Sequence, residues 1–195
     1  MGRPKAWLEL GGETLLHRVA RVLSATCPVV VVVASPLQSL PTLPARVVRV
    51  DDPTELVGEG PLVGALTGIS ALVEIGADIA FLGAVDAAWL TTAHVDAMLG
   101  VLTTDLTAMA VVPESGPTPS GGRIVHATSG AVRLPVARDT ALALVRSGQR
   151  ALMRLFEGLA ARRVAVDSLP HADAVRTCNT PEDFEAARAW IAGQA

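Results

Sequence analysis

The 195-residue chain carries a formal charge of −3, half of its residues are apolar and 18% are charged. That length supports one domain with a real hydrophobic core, and the composition excludes a disordered chain. The weak negative charge excludes general attraction to nucleic acid or an anionic membrane, yet a local anion site needs only one lysine and a few backbone N–H groups.

Residues 14–24 are predicted to form the first helix, with Leu15, Leu16, Val19, Val22 and Leu23 as its apolar stripe. No strand is expected before it. Residues 29–34, nearly all valine, read as a buried strand, and 47–50 as a second one ending at Asp51 and Asp52. A punctuated loop at 58–64 opens into a helix over 62–75, followed by a third strand over 79–85 with Asp86 at its end. A helix over 92–102, capped by Thr91 or Thr92, leads to a fourth strand over 106–112 and a Gly/Pro/Ser-rich loop over 113–122. Residues 130–134 look like a strand outside strict βαβ alternation. Helices over 138–146 and 149–160 and a short strand over 163–166 come next. The last helix has the strongest start signal: Thr180 as N-cap, Pro181 at the first position and Asp183 completing a capping box.

Strands alternating with helices of this length predict a single α/β domain of three-layer αβα form, with a mostly parallel, Rossmann-like sheet. Cys27 and Cys178 lie far apart, form no metal-ligand pattern and read as reduced thiols. No sustained apolar core precedes Gly11, so no signal peptide is expected, and runs such as 29–34 are too short to cross a bilayer. A cytoplasmic protein without membrane or nucleic-acid partners is the resulting expectation, as a monomer or weak homo-oligomer.

In an open parallel sheet, ligands gather beyond the carboxyl ends of the strands, which is where Asp86 falls. A carboxylate there suits Mg²⁺ shared with substrate phosphates, and its structural alternative is a cap for the next turn. Lys5, with Gly2 and Pro4 beside it, offers a compact charge for phosphate; a solvated lysine is the plain alternative. Asp51 and Asp52 end a neighbouring strand. Gly60, Pro61 and Leu62 place a tight turn before a helix N-terminus able to receive a base or phosphate, or else form a simple loop-to-helix junction. Arg123 and His126 flank the 113–122 loop, where the histidine reads as structural or solvated.

In order along the chain, Met1-Gly2-Arg3-Pro4-Lys5-Ala6 with Gly11-Gly12, Asp51-Asp52, Gly60-Pro61-Leu62-Val63-Gly64, Val85-Asp86 with Trp89-Leu90, Gly148-Gln149-Arg150 and Asn179-Thr180-Pro181-Glu182-Asp183 resemble the NTP-transferase family. They are most similar to the bacterial molybdenum cofactor guanylyltransferases. The resemblance implies GMP transfer from GTP to molybdopterin cofactor with release of pyrophosphate, Mg²⁺ as cofactor, and a contact with molybdenum-cofactor insertion machinery. It implies that Gly2 and Lys5 meet the nucleotide phosphates, that Asp51 or Asp52 helps bind the nucleotide, and that Gly60, Pro61 and Leu62 shape the pocket near guanine. Asp86 would hold the metal, Lys5 and Asp86 would be catalytic, and Asn179 and Arg150 would lie on the pterin side. CMP transfer, transfer to a different phosphate acceptor, and a non-catalytic binding paralogue are the alternatives.

The sequence departs from the family pattern at three places. Family members begin with an apolar strand, a Leu-Ala-Gly-Gly loop and an arginine ahead of the Met-Gly pair, so the expectation here is an N-terminally truncated domain spanning 1–195 that lacks the usual first strand. Ala87-Ala88 stands where the metal aspartate is normally followed by a residue and then proline. Thr177 stands where the family often has a second asparagine.

Overall fold

The computed structural model describes residues 4–118 and 121–193. A 3-10 turn at Lys5–Trp7 precedes two short antiparallel strands, β1 (Glu9–Leu10) and β2 (Glu13–Thr14). The turn between them is Gly11-Gly12, both with positive φ, the conformation that a two-residue hairpin demands. This hairpin is a correction to the expectation of no strand before residue 29. Thr14 then caps α1 (Leu15–Thr26), its hydroxyl accepting from the His17 N–H.

Next come β3 (Val30–Ala34), β4 (Val47–Asp51), α2 (Pro61–Glu74), β5 (Ile79–Gly83), α3 (Thr92–Thr104), β6 (Ala110–Ser115), β7 (Ile124–Val125) and β8 (Ser129–Arg133). The chain closes with α4 (Leu134–Arg146), α5 (Met153–Gly158), β9 (Arg162–Ala165) and α6 (Pro181–Ala192). Strand β6 starts later than its apolar run suggested. Asp105 accepts from the backbone N–H and hydroxyl of Thr107, and this local turn takes Leu106 out of the sheet and leaves it exposed. Helix α5 is shorter than expected because residues 148–152 are held in a loop, with Gln149 N–H donating to Leu144 O.

The fold is α/β with αβα layering, but its central sheet is not mostly parallel. Strands β3 and β4 pair in parallel, Val30 opposite Val47 through Ala34 opposite Asp51. In the five-stranded sheet, β8 inserts antiparallel between β5 and β6, β7 is antiparallel to β6, and only β9 runs parallel to β6. Gly130 shows what the insertion requires. A Cβ there would lie 2.6 Å from the Phe156 ring and 2.8 Å from Val111 O, so only glycine lets α5 pack onto β8.

No described strand joins β3 to β5. Between them lies a cavity of about 710 Å³, lined by residues 29–33 and 79–85 and closed by Leu16, Val19 and Leu23 of α1 and Gly64, Gly68 and Leu72 of α2. Two open strand edges facing an apolar slot are a costly arrangement, because backbone groups there lack ladder partners. The dye ANS is therefore expected to bind and brighten on the folded protein, with native near-UV dichroism from buried Trp89 retained. A folded sample that leaves ANS dark would count against an accessible cavity.

His94 on α3 is fully buried, its Nε2 sharing a hydrogen bond with Ser129 Oγ at 2.8 Å. Desolvation holds its imidazole below the usual histidine range. The unfolded chain therefore takes up a proton near pH ~6.5 that the folded chain refuses, and stability falls with pH below that point, by at most about 1.4 kcal/mol per pH unit for this group. Denaturant unfolding from pH 7.5 to 5 should show the decline. His94→Gln should remove the His94 share and leave that of half-buried His126, which burial also lowers.

Candidate active site

Four consecutive buried side chains, Ala87, Ala88, Trp89 and Leu90, follow Asp86. They divide between two clusters. Ala88 and Trp89 pack with Leu10, Leu15, Cys178 and Ala187, whereas Ala87 and Leu90 pack with Val19, Val22 and Val95. The Arg176 guanidinium lies 4.3 Å over the Trp89 ring. Backbone bonds tighten the turn: Ala87 N–H donates to Ala84 O, Ala88 N–H to Asp86 O and Leu90 N–H to Ala87 O. Cys178 N–H donates to Asp86 O at 2.8 Å from the segment that leads into α6.

Lys5 and Asn179 converge on the carboxylate that this turn presents. Lys5 Nζ donates to Asp86 Oδ2 at 2.6 Å and to Asn179 Oδ1 at 2.5 Å. The Lys5–Asp86 pair is partly exposed and is worth at most about 1 kcal/mol. Burial of a side chain the size of Trp89 or Leu90 is worth about 1.5–3 kcal/mol each. Apolar packing therefore positions the site, and the ion pair follows from it. Asp86 Oδ1 is buried with no hydrogen-bond partner among the described residues.

Asn179 is aimed from two sides. Its Nδ2 donates to Thr177 Oγ1 at 2.8 Å, which turns Oδ1 toward Lys5. Thr177, the departure from the asparagine pattern, thus orients Asn179. The Asp183 carboxylate accepts from the backbone N–H groups of Asn179 and Thr180 at 3.0 Å each, and Asp183 N–H donates to Thr180 Oγ1, completing the capping box expected at α6.

The remaining predicted residues gather elsewhere. Gly2 lies outside the described residues. Asp51 is exposed and paired with Arg49 at 2.7 Å, while Asp52 accepts from Thr67 Oγ1 at 3.1 Å at the carboxyl end of β4. Gly60 has φ 108° and precedes α2; a Cβ there would lie 3.1 Å from Arg150 O. Arg150 packs on this loop, its Nε donating to Glu59 and its carbonyl accepting from Leu62 N–H. It also donates to the carbonyls of Val145 and Gln149, so among the described residues it is held at the Gly60 loop and makes no hydrogen bond to Asn179.

Leu62 belongs to the core. Its side chain is fully buried in the main core and its N–H is spent on Arg150 O, so it wedges the loop in place and offers no surface to a base. Pro61 has no N–H and Val63 N–H returns to Gly60 O, so the first turn of α2 is not an open anion receptor. Among the described residues no group of three His, Cys, Asp or Glu side chains is placed to hold a metal. None of the helices is long and apolar enough to cross a membrane, among the described residues.

The family described as the MobA-like NTP transferase domain matches residues 1–166. The chain belongs to that family. It is similar to a probable molybdenum cofactor guanylyltransferase of Mycobacterium avium, 32% identical over 188 residues, covering 95% of this chain and 87% of the relative. A Mycobacterium tuberculosis protein of the same description is 36% identical over 174 residues, covering 87% and 80%. Among solved structures, molybdopterin-guanine dinucleotide biosynthesis protein A of Archaeoglobus fulgidus superposes with a TM-score of 0.72 at 18% identity, covering 98% of this chain and 92% of that one. A 2-C-methyl-D-erythritol 4-phosphate cytidylyltransferase from Thermus thermophilus gives the same TM-score and identity, covering 97% and 94%. The two superpositions support the nucleotidyltransferase fold, and family membership makes this chain a nucleotidyltransferase.

Two backbone N–H donors hold the Asp183 carboxyl below the usual carboxylate range. Its capping contribution is therefore present above the ordinary Asp value of about 3.9 and lost as pH falls through the lower folded value. Carbon-detected NMR titration should place its midpoint below that of an exposed aspartate. A midpoint at or above the ordinary value would rule out the cap as drawn.

Proposed function

We propose that this protein transfers GMP from GTP to molybdopterin cofactor, giving the guanine dinucleotide form and pyrophosphate. The observation that carries the reading is the meeting of Lys5, Asp86 and Asn179 from three distant parts of the chain at one partly open point. Support for guanylyl transfer, as against cytidylyl transfer, comes from relatives above 30% identity described as guanylyltransferases; the cytidylyltransferase likeness is one of fold.

In the reaction an oxygen of the acceptor's terminal phosphate attacks the α-phosphorus of GTP. The bond from that phosphorus to the bridging oxygen breaks, and its electron pair leaves with pyrophosphate. The acceptor oxygen is already ionised, so no protein base is required. The difficulty is to bring anions together and hold them in line. Lys5 passes from Asp86 and Asn179 to the nucleotide phosphates, trading one anionic partner for another at little desolvation cost.

Release of Lys5 leaves both Asp86 oxygens for a cation, and the buried Oδ1, without a partner among the described residues, fits that use. Asp86 is the protein group that would hold Mg²⁺, which would supply neutralisation of phosphate charge. Asn179, freed from Lys5, is left to receive a polar group of the acceptor. Asp52, at the end of β4, is the better placed of the two aspartates for the nucleotide, since Asp51 is committed to Arg49.

Incubation of the purified protein with GTP, Mg²⁺ and molybdopterin cofactor should yield the dinucleotide and pyrophosphate, separable by chromatography. Lys5→Met and Asp86→Asn should each lower the rate by about 10²-fold or more while keeping the fold. CTP in place of GTP should be at least about tenfold poorer. Equal turnover of CTP, or full activity in Asp86→Asn, would defeat the reading.

A further inference from the structure

Among the described residues the one side-chain partner of the Asp86 carboxylate is Lys5 on Oδ2, and Oδ1 has no donor, so the backbone does most of the aiming. What the turn over 84–88 does therefore decides where the carboxylate points. The turn is gripped from one side by Cys178 N–H on Asp86 O. From the other side it is gripped by Arg18 of α1, whose Nε donates to Ala88 O at 2.7 Å.

Arg18 is unusual in its place. It lies on the apolar stripe of α1, and its side chain is 11% exposed. Burial lowers its pKa, with Glu13 opposing that effect from 3.6 Å. Its guanidinium also stands 5.5 Å over the Trp190 ring of α6. An arginine is costly in such a setting unless its donors are used, and its shortest polar contact is with the carbonyl two residues beyond Asp86.

We infer that Arg18 is a positioning residue for Asp86, holding the Ala88 carbonyl so that the carboxylate faces the cation and phosphate site; this rests on the reading of Asp86 as the cation-holding group. The effective part of Arg18 is its Nε donor. Glutamine carries a donor the same number of bonds from Cα, without the charge, and methionine carries a methyl group there.

The test is Mn²⁺ binding at fixed GTP, followed by electron paramagnetic resonance, alongside metal-free GTP affinity and thermal unfolding, on wild type, Asp86→Asn, Arg18→Met and Arg18→Gln. The expected result is about tenfold weaker Mn²⁺ binding in Arg18→Met, the loss of one hydrogen bond, with Arg18→Gln within about twofold of wild type and metal-free GTP affinity unchanged in both. Wild-type Mn²⁺ affinity in folded Arg18→Met overturns the inference. So does an equal loss in folded Arg18→Gln, which would assign the effect to charge. If Arg18→Met does not fold, Arg18→Leu takes its place, with tenfold loss there and near-wild-type affinity in Arg18→Gln supporting the inference and any other pattern overturning it. Asp86→Asn separates the two readings: unchanged Mn²⁺ binding there removes the role of Asp86, whereas loss there with Arg18→Met intact removes only that of Arg18.

Discussion

Burial of residues 87–90 constrains most of what surrounds the site. Trp89 and Ala88 enter one apolar cluster and Ala87 and Leu90 another, so the turn that carries Asp86 is pinned between the hairpin and α6 on one side and α1 and α3 on the other. A carboxylate at the head of such a turn has little freedom, although among the described residues one of its oxygens bonds only to Lys5 and the other to nothing. Polar contacts then tune the result. Cys178 N–H and Arg18 Nε fix the backbone on either side, and Thr177 and Asp183 fix Asn179 against the same lysine.

The site and the second loop cluster answer different physical needs. Around Asp86 a charge is left partly exposed with an unsatisfied oxygen, which is a poor choice for stability and a good one for binding a cation. Around Gly60 the donors are spent internally: Leu62 on Arg150 O, Val63 on Gly60 O, and Arg150 on Glu59. That loop is a joint between α2 and the segment before α5.

The divided sheet bears on stability more than on chemistry. Strands β3 and β5 each pair on one edge and face an apolar cavity with the other, while α1 and α2 close it above and below. The five-stranded half compensates with tight packing, seen where Phe156 leaves no room for a Cβ at residue 130. Such a molecule has one well-packed side and one open seam.

Much was legible in the chain itself. Valine-rich 29–34, the Thr91 and Thr180 caps, Pro181 and Asp183 announced their elements because those signals act within a turn or a strand. Lys5, Asp86 and Asn179 were recognisable by motif, and the structure brings them together. The burial of Leu62 and the Arg150–Glu59 pair were not legible, because a motif does not say which side chains the core will claim or which loop an arginine will pack on. Residues 130–134 were legible as a strand outside strict alternation, but its antiparallel place between β5 and β6 was not, because these residues carry the same local preference whichever neighbour they join. Arg18 left a trace, an arginine at helical spacing between Leu15 and Val22, without saying what it would hold. Local propensities and residue chemistry were thus settled by the sequence. Strand order, the open seam, and the grip on the Asp86 turn were decided by tertiary structure, because each depends on groups that local sequence does not bring together, as with Arg18 and Ala88.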